Sequence, residues 1–190
     1  MKNNIITAGV DEVGRGCLAG PVFAAAVILD NKINLETIKD SKKINFKNRL
    51  KIAKYIKLNS HFAVGSASVK EIFELNILQA SLLAMKRAVM QLYKRPKLIL
   101  IDGSFAPTGL KNCKTIIKGD QKIKCISAAS IIAKTYRDLF MIKLSKKFYN
   151  YAWEKNFGYG TKDHFAGLKK FGVTPHHRKG FKPIHNILFR

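Results

Sequence analysis

Two adjacent acids, Asp11 and Glu12, interrupt an otherwise apolar run and are followed at once by Gly14-Arg15-Gly16. Few features restrict a fold more. Apolar flanks at Ile5, Ile6, Val10 and Val13 predict a buried strand, and a carboxylate pair there is costly in desolvation and mutual repulsion unless a cation neutralises it. A divalent metal ion is the simplest such cation. The glycines permit backbone angles closed to other residues, so the chain can turn sharply and approach a ligand closely, while Arg15 offers a forked donor for phosphate. Acids beside a phosphate-gripping turn point to phosphodiester chemistry.

Charge points the same way. Lys plus Arg number 35 against 12 Asp plus Glu, a net +23, and a field of that sign favours polyanions such as nucleic acid. A lysine-rich coding bias is the bland alternative. At 190 residues the chain fits one domain or a domain with a small appendage. Cys17, Cys113 and Cys125 lack CxxC spacing and leave an odd count, which suits reduced thiols and argues against zinc. The acids at 11 and 12 arrive before a secretory apolar segment can form, and the longest apolar run, residues 23–29, is too short to span a bilayer. A cytoplasmic, soluble protein without membrane association is expected.

Residues 5–10 and 22–29 read as neighbouring strands, and the alternating run 61–69 reads as a third. Apolar residues at helical spacing predict helices over 46–56 and 73–93. Short strands over 98–101 and 115–118 run into Asp102-Gly103 and Gly119-Asp120, and Ser127 opens an Ala/Ile-rich helix to about residue 144. Residues 150–185 mix aromatics, glycines, histidines and lysines, as an appended recognition segment does. Strands first, then alternating strand and helix, indicate an α/β protein with a mixed sheet and helices on its faces.

Asp11, Glu12, Asp102 and Asp120 thus sit at the margins of apolar runs instead of among lysines. Strand ends delivering acids to one cleft build an oxygen-rich hole suited to magnesium or manganese. Asp11 and Glu12 share it only if the strand bends, because neighbours on a strand point to opposite faces. Aspartate beside glycine is also an ordinary turn residue, so Asp102 and Asp120, taken singly, read more readily as turns. Asp30, before Asn31 and Lys32, is such a turn residue. Asp138 is either a fifth ligand or the partner of Lys134 in a helical ion pair.

The motifs GVDEVGRGCLAGPV (9–22), DSKK (40–43), ELNILQASLLAMKRAV (74–89), LIDG (100–103), KGD (118–120), ISAASIIAKTYRD (126–138), GYGT (158–161) and HHR (176–178) stand in one order along nearly the whole chain. In this the chain resembles bacterial ribonuclease HII. The related type HIII enzymes carry a different glycine motif after the acid pair and an extra N-terminal domain, neither seen here, so type HII is the expectation. Cys17 stands where many relatives have proline and is read as packing.

The resemblance implies a ribonuclease H-like fold: a five-stranded mixed sheet flanked by helices, with a catalytic domain over 1–145 and a helical, substrate-gripping extension over 146–190 packed on it. It implies Asp11, Glu12, Asp102 and Asp120 as catalytic ligands of two Mn2+ or Mg2+ ions about 4 Å apart. Also implied are contacts of the Gly14-Arg15-Gly16 backbone with a ribose 2′ hydroxyl, and packing of Tyr159 on the ribonucleotide. The expected activity is endonucleolytic hydrolysis of RNA in RNA/DNA hybrids and 5′ of single ribonucleotides in duplex DNA, leaving 5′ phosphate and 3′ hydroxyl. Ser41, Lys42, Arg15, His176, His177 and Arg178 are candidate phosphate contacts. His164 is a candidate proton-transfer group or a structural histidine, and Trp153 and Phe157 are expected to pack the extension. The rivals are a non-catalytic nucleic-acid-binding protein and another nuclease of the same fold. High like charge favours a monomer.

Overall fold

Strands apolar on both faces need cover on both sides, and the computed structural model shows that cover; it describes residues 5–31, 33–38 and 44–189. Five strands, β1 (Thr7–Val13), β2 (Val22–Leu29), β3 (Ser60–Ala67), β4 (Leu98–Asp102) and β5 (Cys113–Ile116), form one sheet in the order β3-β2-β1-β4-β5. β1 pairs antiparallel with β2 and parallel with β4, so the acid-bearing strand is central in a mixed sheet. The expected five-stranded mixed sheet with flanking helices is the one observed.

Strand alternation divides the apolar residues between two helices. Ala24, Ala26 and Ile28 of β2 pack with Ala80, Ala84 and Ala88 of α2 (Val69–Met90), whereas Ala25 and Val27 pack with Ala128, Ala129 and Ile132 of α4 (Lys124–Ser145). Alanine-rich surfaces allow close approach. Gly9 marks the limit on β1, since a Cβ there would lie 2.2 Å from the Cys125 carbonyl carbon. The helix α1 (Phe46–Leu58) lies against α4 on the same side and contributes Ala53 and Ile56 to that core.

Several boundaries differ from the sequence reading. β1 continues to Val13 because β2 supplies ladder partners out to Glu12↔Ala24 and Val13↔Phe23, so the two acids lie inside the strand. β3 ends at Ala67, and Ser68 caps α2 through a reciprocal capping box with Glu71, which makes Val69 helical. α2 is kinked at Asn76 (φ 68°), whose side chain accepts from the N–H groups of Leu78 and Gln79. β5 starts two residues early, its register set by Ile99↔Cys113 and Asp102↔Ile116 on β4. Asp120 therefore stands not on a strand end but in the single helical turn α3 (Gly119–Lys122), reached through Lys118 in the left-handed region.

Beyond α4 come three helices, α5 (Trp153–Asn156), α6 (Lys162–Phe171) and α7 (Lys182–Leu188). Trp153, Leu168 and Ile184 of these helices, with Tyr151 of the 3-10 turn before them, form a third cluster with Leu18, Ala19 and Met141. Trp153 is fully buried and Phe157 packs partly against the cluster, as expected of both. Among the described residues no helix is long and apolar enough to cross a membrane.

Candidate active site

The carboxyl-terminal ends of β1 and β4 open on one side of the sheet, and a cavity of 320 Å3 lies there. It is lined by Asp11, Glu12, Asp102 and Asp120, by Gly14, Arg15 and Gly16, and by Ser130, Lys134 and Tyr159. All four acids singled out in the sequence thus border one space, although they come from β1, β4 and α3. The strand does not bend between Asp11 and Glu12, whose ladder is regular. Both nonetheless border the cavity, and the turn follows at Gly14 (φ 94°).

The acids are held by local donors. Asp11 Oδ1 accepts the N–H of Glu12 at 2.7 Å, and Asp102 Oδ1 accepts the N–H of Gly119 at 2.6 Å. Asp11 is 4% exposed. Burial, then the nearby charges of Glu12 and Asp102, push its carboxyl well above the ordinary range, against the hydrogen bonds from Ser130 and from the Glu12 N–H. Burial also raises Glu12, and the charge of Arg15, with Nη1 3.4 Å from Oε1, opposes it. Four carboxylates facing one cavity, with the proton affinity of Asp11 and Glu12 raised, suit a hard cation, and an all-oxygen donor set selects magnesium or manganese over zinc. Among the described residues no three carboxylate, imidazole or thiol groups already converge on one ion-sized point.

Tyr159 reaches the same cavity from the segment before α6. The residue is 38% exposed, and burial with the neighbouring Cys17 raises its hydroxyl to about 12. Lys134 Nζ lies 5.5 Å from that ring centre and 2.7 Å from Asp138 Oδ1. Ser130 and Lys134 escaped the sequence reading as cavity residues. Their signal was a polar stripe, Ser130, Lys134, Arg137 and Asp138, at helical spacing along an otherwise apolar α4.

Several sequence candidates lie elsewhere. Asp138 is no cavity residue: it is fully buried between Lys134 and Arg49 Nη2, the latter at 2.6 Å. Asp30 lies 3.9 Å from His61. Ser41 and Lys42 fall outside the described residues. His177 and Arg178 are 0% and 1% exposed, so neither can contact phosphate from the surface, contrary to expectation. His176 is half-buried, its ring 4.9 Å from Phe148 edge-on. Cys17 is buried, as packing required.

His164 is structural. Its Nδ1 lies 2.9 Å from the Tyr159 carbonyl, which only accepts, so Nδ1 carries the proton and Nε2 accepts from Trp153 Nε1 at 3.0 Å. The His177 Nε2, 3.0 Å from the same atom, must then donate, leaving His177 Nδ1 to accept from the Thr174 N–H. Both rings are neutral. Burial and the adjacent His164 push His177 down to about 3, and burial lowers His164.

Two buried guanidiniums underlie the glycine turn. Arg178 donates from Nε to the Gly20 carbonyl at 2.9 Å, from Nη1 to that of Arg15 at 2.8 Å, and from Nη2 to that of Gly14 at 2.7 Å. Arg137 donates to the carbonyls of Pro21, Phe157 and Ala19 at 3.1, 2.8 and 3.1 Å. A Cβ on Gly14 would lie 2.1 Å from Arg137 Nε, so this glycine makes room for the guanidinium. Gly16 meets nothing within 4 Å.

A mixed sheet with helices on both faces and four carboxylates around one basic-rimmed cavity defines a nuclease of the ribonuclease H-like class. The comparisons narrow it. The family model described as Ribonuclease HII matches residues 8–185. A ribonuclease HII of Pelagibacter ubique is 59% identical over 185 residues, covering 96% of this chain and 99% of that one. Among solved structures, the ribonuclease H2 of Pyrococcus horikoshii OT3 superposes with a TM-score of 0.78 at 29% identity, covering 95% of this chain and 96% of that one. Bst-RNase HIII in complex with Mn2+ shares the fold, with a TM-score of 0.76 at 19% identity over 96% of this chain and 68% of its own. The chain belongs to the ribonuclease HII family and is a ribonuclease H hydrolase.

Proposed function

We propose that this ribonuclease is an endonuclease that hydrolyses RNA in RNA/DNA hybrids and cuts on the 5′ side of single ribonucleotides embedded in duplex DNA, a role in ribonucleotide removal during DNA repair and replication. One observation carries the reading: the four carboxylates border the same cavity as the Gly14-Arg15-Gly16 turn and Tyr159. Metal-holding groups thus stand beside groups able to inspect a sugar.

Asp11, Glu12, Asp102 and Asp120 would hold two divalent ions, Mn2+ or Mg2+. Bound there, such ions supply Lewis acidity to the scissile phosphate and lower the proton affinity of the attacking water, giving 5′ phosphate and 3′ hydroxyl ends. Ser130 steadies Asp11, and the Gly119 N–H steadies Asp102. Arg15, its side chain 49% exposed beside Glu12, grips a phosphate. The amides of Gly14, Arg15 and Gly16 read the 2′ hydroxyl, the group that separates RNA from DNA at one position. The half-exposed ring of Tyr159 packs on that sugar. Since Tyr159 belongs to residues 146–190, that segment acts as a substrate-gripping extension of the catalytic domain over 1–145. Ser41 and Lys42 are further phosphate contacts, and the +23 charge attracts the duplex. The protein works as a cytoplasmic monomer.

End-mapping on a duplex with one ribonucleotide, in Mn2+ or Mg2+, tests this directly. A single cut 5′ of the ribonucleotide with a 3′ hydroxyl upstream is expected. Equal cutting of an all-DNA duplex overturns the reading.

A further inference from the structure

Arg178 is nearly inaccessible, yet its three hydrogen bonds go to loop carbonyls and none of them to an acid. Two of those carbonyls belong to Gly14 and Arg15, in the turn that lines the cavity. The chain contains no cis peptide among the described residues, and in a trans peptide the C=O of one residue and the N–H of the next point in opposite directions. With the Gly14 carbonyl aimed at Arg178, the Arg15 N–H points away from it. With the Arg15 carbonyl aimed at the same guanidinium, so does the N–H of Gly16.

Glycines flank both peptide planes, which makes their rotation cheap in the absence of an external hold. Arg178 supplies that hold with a planar fork that spans successive carbonyls, a geometry that a lysine ammonium does not reproduce. Arg137 braces the turn from beneath, lying where a Gly14 side chain would go and fastening Ala19 to Phe157. Arg15 and Gly16 are exposed on the cavity side, while Gly14 and Cys17 are buried.

We propose that Arg178 is a positioning residue for sugar recognition: from beneath the turn it sets both peptide planes so that the N–H groups of Arg15 and Gly16 face the cavity as a ready pair of donors for a ribose 2′ oxygen. The inference rests on the ribonucleotide reading above. It assigns selectivity for ribose to a side chain that never touches the substrate.

The test compares affinities for a duplex with one ribonucleotide and for the same duplex in all-DNA form, using Asp102→Asn so that substrate survives. The parent variant is expected to prefer the ribonucleotide duplex. Adding Arg178→Lys should lower that preference about tenfold, the effect of losing one hydrogen bond of ordinary strength, with all-DNA affinity nearly unchanged. A merely structural role would lower both affinities together or neither, and either result overturns the inference. No preference in the parent overturns the ribonucleotide reading itself and this inference with it, whereas a preference that survives Arg178→Lys overturns the inference alone. If Arg178→Lys does not fold, amide exchange in the parent decides. Arg15 and Gly16 amides that exchange freely and are slowed only by the ribonucleotide duplex support the assignment. Amides already protected in the free protein overturn it.

Discussion

Asp102, the last residue of β4, accepts the backbone N–H of Gly119 at 2.6 Å and so fixes the start of the turn that carries Asp120. One carboxylate therefore sets the position of another. Asparagine keeps the accepting oxygen and loses the charge; alanine loses both. Asp102→Asn should keep the wild-type urea midpoint while abolishing metal-dependent cleavage. Asp102→Ala should lose about 1–2 kcal/mol as well, the cost of an unmet part-buried donor.

Asp138 is expected to matter for stability and not for chemistry. It neutralises Arg49, which is buried and has its Nε without a hydrogen-bond partner. Asp138→Ala should cost about 3 kcal/mol by urea denaturation, because it strands a buried cation. Cleavage per folded molecule should fall far less than in Asp102→Asn; an equal fall returns Asp138 to the ligand set.

Stability should decline in acid through the imidazole pair. His177 has its proton affinity pushed down to about 3 when folded, against about 6.5 in an unfolded chain. The unfolded state therefore takes the proton first. The contribution is fully present above about pH 6.5 and is lost toward pH 3, at on the order of 1 kcal/mol per unit. Urea midpoints at pH 7 and pH 5 measure it, and His177→Gln should flatten the difference.

Two glycines should behave oppositely. Gly9→Ala drives a methyl into the backbone at Cys125 and should cost about 3 kcal/mol, since that helix cannot yield locally. Gly16→Ala enters open space and should leave the melting temperature unchanged, so any loss of cleavage in that variant reports crowding of the substrate.

The four cavity acids were legible in the sequence because their signal is local: a carboxylate at the edge of an apolar run is anomalous whatever lies elsewhere. The order of the five strands and three long helices followed from periodicity for the same reason, whereas α3 and the short helices after residue 150 did not. Ambiguity at Asp138 was irreducible, because its partner Arg49 lies 89 residues away and only packing brings them together. Arg178 read as a surface phosphate contact because its acceptors are some 160 positions upstream, at Gly14, Arg15 and Gly20. The start of β5 depended on its register with β4, which no window of residues 111–118 contains.

Calorimetric titration of Mn2+ into the wild-type protein and into Asp11→Asn/Glu12→Gln, at equal ionic strength, bears on the four-carboxylate site more directly than any cleavage assay. Saturable binding in the wild type, weakened at least about tenfold in the double variant, is expected. Equal Mn2+ affinity in the two proteins contradicts it.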